Sequence, residues 1–175
     1  MRFDYYKERE DSVGPSRIIV GIDPGPEKCG LAVYDTGARR VLEAHKDLSV
    51  EDTLSALDIY AGRAGLVGIE RVQSYGIAGS SLLRTSETVG RLYQCSQALR
   101  LPTVLLFRRE VLRGLDVTGK GNGDSLVRER LIEMHGGERR KAQGTKKQPG
   151  PLYGVASHAW AALAVAVVAG MEAGR

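Results

Sequence analysis

Cysteine is scarce in this 175-residue chain: there are two, Cys29 and Cys95, with no C-x-x-C pair and no metal-type spacing. A disulfide scaffold and a zinc knuckle therefore have nothing to build on, and a reduced, cytosolic location is the simplest expectation. The first sixteen residues are charged, lack an apolar core and end in Gly14-Pro15-Ser16, so a secretory signal is not expected and the segment reads as a polar lead-in. Long hydrophobic runs are missing too. The most apolar stretch, Ala159 to Met171, is too short to span a bilayer and rich in Ala, which points to a buried helix and to no membrane partner. No internal repeat is visible, and 175 residues leave no room for two large lobes.

What is present is ordinary globular material, with 42% hydrophobic and 26% charged residues. The net charge of +4 is a mild basic excess that suits phosphate backbones but is common in plain soluble proteins. Arg17 to Asp23 is a nearly continuous β-branched run closed by Pro24-Gly25, as expected of a strand buried on both faces. Further strands are predicted at 30–34 and 40–46, which suggests an antiparallel meander. Leu54, Leu57, Ala61 and Ala64 recur at helical spacing behind an N-cap at Ser49. A short strand follows at 66–70, then a long helix at 79–99 with Leu82, Leu83, Val89, Leu92 and Tyr93 mostly on one side, and a strand at 102–107. Helices are predicted at 108–115, 124–135 and 153–171, with a Gly- and Lys-rich loop at 136–151. The order defines an α/β domain over 17–175, a mixed five-stranded sheet flanked by helices.

Two acids stand at strand ends. Asp23 closes the first strand before a forced turn, and Glu70 closes the strand beginning at Leu66. Adjacent strands lie about 4.8 Å apart, so carboxylates at matching ends can share a divalent cation and repel without one. Each can also simply cap a strand in solvent. His158 sits in S-H-A-W-A-A-L-A, where 158, 161, 162 and 165 share a helix face that is otherwise Ala161, Ala162 and Val165. An imidazole there is either a ligand or a satisfied partial-core histidine.

G-I-D-P-G followed by Cys29-Gly30-Leu31-Ala32, the strand-end Ile69-Glu70, and S-H-x-W-x-A-L-A-V-A at the close resemble the RuvC-type Holliday junction resolvases of the RNase H-like superfamily, in a phage-encoded flavour. The resemblance runs from about Arg17 to Gly170. Actin-like ATPases open with a similar strand and Gly turn, but such folds need two lobes. The resemblance implies an RNase H-like fold, a homodimer acting on branched DNA and especially on four-way junctions, and paired phosphodiester cuts that leave a 5′ phosphate. Two Mg²⁺ or Mn²⁺ ions per active site, roughly 3.5–4 Å apart, are implied as cofactors. It also implies a cytoplasmic setting in a bacterial or phage-infected cell. By position Asp23, Glu70 and His158 match the metal-binding, catalytic residues.

The next family position, an aspartate, is occupied here by Ala161. A deliberate replacement that traps a substrate complex is the favoured explanation, a natural non-catalytic junction-binding protein of the same fold the alternative; cleavage is expected to be poor either way. For DNA, Gln73 and Tyr75 can enter or stack on opened bases, or pack on the sheet. Arg84 and Arg91 share a helix face. Lys120 and Asn122 lie in a Gly-rich approach whose amides can hold a phosphate. Lys146 and Lys147, with Arg139, Arg140 and Lys141, form what reads as a mobile basic loop.

Overall fold

The structure is a computed structural model that describes residues 17–74, 76–118 and 123–174. The lead-in at 1–16, Tyr75, Lys120 and Asn122 lie outside the described residues. The chain runs β1 (Ile18–Pro24), β2 (Lys28–Asp35), β3 (Arg40–Ser49), α1 (Val50–Tyr60), β4 (Leu66–Arg71), α2 (Ser80–Ala98), β5 (Thr103–Phe107), α3 (Arg108–Gly114), α4 (Gly123–Met134), α5 (Arg139–Gln143) and α6 (Ala159–Ala173). The sheet order is β3-β2-β1-β4-β5. The first three strands form the expected antiparallel meander, and β4 and β5 continue the sheet parallel to β1.

Local chemistry explains the path. The Gly25 amide donates to the Lys28 carbonyl at 2.9 Å and closes the β1–β2 turn. Ser49 caps α1 by accepting the Asp52 amide at 3.0 Å, with Glu51 and Asp52 in the first turn where the helix dipole favours acids. Strand alternation then divides the core. Val20, Ile22, Val67 and Ile69 face α1 and α2 with Leu57 and Leu92, while Ile19 and Leu106 share the opposite cluster with α6.

Three sequence expectations need correction. On α2 the buried positions are Thr85, Thr88, Leu92 and Ser96, whereas Leu83 and Tyr93 are exposed. The hydroxyls of Thr85, Thr88 and Ser96 donate to the carbonyls of Ser81, Arg84 and Leu92, which lets these polar residues pack as apolar ones. The final helix starts at Ala159 rather than Tyr153, because Gly154 (φ 84°) and Ser157 (φ 45°) hold left-handed conformations that no α-helix accepts. His158 is thus the N-cap of α6 and lies at its mouth. The supposed mobile loop at 136–151 contains α5 and a bridge between Gly144 and Pro149, and is pinned where the Leu152 amide donates to the Ala142 carbonyl at 2.8 Å, both residues being fully buried. Lys146 and Lys147 are exposed between the bridge residues.

α6 lies on the sheet because three strand positions are glycine. A Cβ on Gly21 would come within 2.7 Å of the Ala166 Cβ and run into the Ala162 carbonyl, and one on Gly68 would meet Val165 Cγ1 at 2.9 Å. A Cβ on Gly30 would collide with the His158 carbonyl. Gly21→Ala is expected to destabilise the protein by about 1–3 kcal/mol, the usual cost of overpacking; an unchanged urea midpoint would contradict this packing.

Candidate active site

Asp23 and Glu70 come together through strand register. β1 and β4 are parallel, with Ile22 beside Ile69, so the next residue on each strand is an acid at the same sheet edge. The carboxyl ends of parallel strands are where α/β folds build their sites. Gly30 pairs with Asp23 across the β1–β2 ladder, and its missing side chain admits the backbone of His158. His158 Nδ1 consequently stands 3.4 Å from Asp23 Oδ2. The His158 side chain is 64% exposed, so the core-histidine alternative is set aside. Asp23, Glu70, His158 and Ala161 line one cleft of about 710 Å³, with Ala161 further along α6 from His158.

Two residues that sequence reasoning missed complete the cleft. Arg108 opens α3 directly after β5, and its Nη1 lies 3.5 Å from Glu70 Oε2. Its Nη2 donates to Asp124 Oδ1 in the first turn of α4. A signal existed: β5 is the parallel neighbour of β4, so a residue just past its end faces the same edge as Glu70. Searching strand ends only for acids passes over it.

The other candidates are spread around this site. Gln73 lines a smaller cavity that adjoins the cleft and also includes Glu70, Arg71 and Arg109. The guanidiniums of Arg71 and Arg109 lie 4.3 and 5.0 Å from the Phe107 ring centroid. Arg84 pairs with Glu27 at 3.4 Å, and Arg91 with Glu51 at 3.0 Å. These are exposed ion pairs of small energetic weight that leave both arginines open to exchange partners.

Burial sets the electrostatics. It raises the Asp23 carboxyl above its ordinary range, against the pull of His158 and Arg108. It also pushes Glu70 from 4.5 up to about 7, with Asp23 and Asp124 adding to the rise and Arg108 opposing it. At 3.5 Å the Arg108 contact is an ion pair too long for a hydrogen bond, and Glu70 Oε2 is buried with no hydrogen-bond partner. A buried oxygen without a donor beside a second strained carboxylate and an imidazole is a donor set that fits a divalent cation. Among the described residues no group of three or more His, Cys, Asp or Glu side chains is placed to hold a metal ion, so the fit is one of donor chemistry.

Strand order and flanking helices are those of the RNase H-like fold. The chain is similar to the Thermus thermophilus RuvC structure, with a TM-score of 0.61 and 22% identity over 89% of this chain and 95% of that one. It is also similar to T. thermophilus RuvC in complex with a Holliday junction substrate, with a TM-score of 0.60 and 21% identity over 89% and 94%. In sequence it is 29% identical over 129 residues to the crossover junction endodeoxyribonuclease RuvC of Bifidobacterium adolescentis, and 28% identical to that of Bifidobacterium longum. Those matches cover 66% of this chain and 65% of each relative, just under two thirds of their length. No family model matches the chain. Among the described residues no helix is long and apolar enough to cross a membrane.

The raised Glu70 gives a pH dependence whose sign is fixed. Its folded-state value lies above the unfolded one, so stability from the protonated form is full below about 4.5 and lost as pH rises through about 7. Without divalent cations, Glu70→Gln is expected to melt a few degrees higher than the unaltered chain at pH 8, the gap closing toward pH 4.5. Parallel melting profiles across that range would contradict the burial argument.

Proposed function

We propose that this chain is a metal-dependent DNA endonuclease of the RuvC type that resolves four-way junctions, working slowly in the form written here. The observation that carries the reading is the convergence of Asp23, Glu70 and His158 at one sheet edge, with a buried Glu70 oxygen that lacks a donor. The relatives in sequence and fold support the choice of junction DNA.

Asp23, Glu70 and His158 are the residues that would hold Mg²⁺ or Mn²⁺. A bound divalent cation supplies Lewis acidity to the phosphate and acidifies water at neutral pH. The rest falls to the protein. Asp23 Oδ2 faces Nδ1 of the His158 imidazole at 3.4 Å, leaving Nε2 to bind a cation or to accept a proton from the attacking water. Imidazole favours Mn²⁺ over Mg²⁺. Arg71 and Arg109, both held against Phe107 beside Glu70, present positive charge to the DNA backbone. Gln73 stands at the same margin, and Lys146 and Lys147 extend the basic surface on a pinned loop; Tyr75, as an aromatic soon after Glu70, and Lys120 and Asn122, in the Gly-rich approach, complete the proposed DNA contacts.

Ala161 supports a second reading, a junction-binding protein without catalysis. One carboxylate fewer at the cleft weakens its hold on divalent ions, whether Ala161 is a deliberate replacement or natural. The two readings separate on Ala161→Asp incubated with a mobile four-way junction. Symmetric nicks, at least tenfold faster than with the unaltered chain and no slower in Mn²⁺ than in Mg²⁺, are expected for the nuclease. Binding without nicks by either chain would leave the binder, and fast cutting by the unaltered chain in Mg²⁺ would remove the role given to position 161.

Paired cuts across a two-fold symmetric junction require two sites, hence a homodimer. The exposed Leu83 and Tyr93 on α2 provide an apolar face for it. Sedimentation at micromolar concentration is expected to give a dimer; a monomer would contradict the paired-cut mechanism.

A further inference from the structure

We infer that Arg108 takes the place of one of two metal ions in this cleft, so that each chain holds a single divalent cation and the guanidinium supplies the second positive charge facing the phosphate. The inference rests on the nuclease reading above and departs from its two-ion expectation.

Position comes first. Arg108 is the first residue of α3, and β5 immediately before it runs parallel to β4 with Leu106 beside Glu70. The guanidinium therefore enters from the strand next to Glu70, and its fork spans Glu70 Oε2, in a side chain only 15% exposed, and Asp124 Oδ1, in one 81% exposed. It links the buried floor of the cleft to its rim. The adjacent Arg109 turns instead to the Phe107 ring, so the bridge is particular to one of the two arginines.

Charge comes second. Asp23, Glu70 and Asp124 bring three negative charges and Arg108 one permanent positive charge, since guanidinium does not deprotonate in proteins. The remainder is cancelled by one divalent ion and overshot by two. A carboxylate at position 161 would reduce the overshoot of a second ion from two charges to one, but Ala161 carries none. Loss of an acid on α6 and presence of a base on α3 thus act in the same direction.

Donor count comes third. Arg108 has five N–H donors, and two carboxylates do not exhaust them. With its side chain 30% exposed, the fork is accessible to a phosphate oxygen, for which guanidinium geometry is well suited.

Counting bound Mn²⁺ on the full-length chain by loss of the free-ion EPR signal tests this directly. The unaltered chain is expected to bind one ion, Arg108→Gln two, and Arg108→Lys, which keeps the charge, one. Two ions on the unaltered chain, or one on both the unaltered chain and Arg108→Gln, would overturn the inference while leaving the metal-dependent reading standing. No ion on the unaltered chain would overturn both. Circular dichroism checks the fold of each variant, and Arg108→Met, for which two ions are likewise expected and one would overturn the inference, replaces Arg108→Gln if that variant does not fold.

Discussion

The close approach of α6 to the sheet is the constraint on which the rest depends. Side chains normally hold a helix off a sheet; here Gly21, Gly30 and Gly68 remove the spacers on one side, and Ala162, Ala166, Val165 and the His158 backbone meet them from the other. The consequence is chemical as well as structural. The last turn before α6 settles against Gly30, and Gly30 is the ladder partner of Asp23, so a packing contact delivers an imidazole to a strand-end carboxylate. Ten residues of α6 from Ala159 to Ala169 are buried, which makes the placement rigid.

A second tension is electrostatic. Burying Asp23 and Glu70 together costs free energy that neither hydrogen bonding nor the Arg108 ion pair removes, as the raised carboxyls and the donorless Glu70 oxygen record. Such strain is tolerated where a charged ligand relieves it, and strongly shifted acids in a cleft are the usual mark of a working site. The basic margin formed by Arg71 and Arg109 then has a plain role, since a phosphate backbone must approach a cluster of carboxylates that would otherwise repel it.

Much of this was legible in the residues. β-branched runs closed by Gly or Pro marked the strands, the Ser49 cap marked α1, and the strand-end acids pointed to one sheet edge, because period-two burial and turn chemistry are local properties. What failed depended on tertiary context. The stretch 153–158 reads as part of the Ala-rich helix that follows it, but positive φ at Gly154 and Ser157 holds it outside, and the α2 face misled because Thr85, Thr88 and Ser96 hide their hydroxyls on their own helix. α5 is too short and charged to show a period; the burial of Ala142 and Leu152 and the bond between their backbones hold it. Arg108 and Asp124 escaped because their partnership spans sixteen residues and joins two helix starts.

The central claim is that one cation pocket is framed by the end of β1, the end of β4 and the mouth of α6. Paramagnetic broadening of backbone amide signals by substoichiometric Mn²⁺ maps such a pocket residue by residue. Broadening centred on 22–24, 69–71 and 157–159 is the predicted result. Broadening centred elsewhere, or spread evenly over the acidic surface, would contradict it.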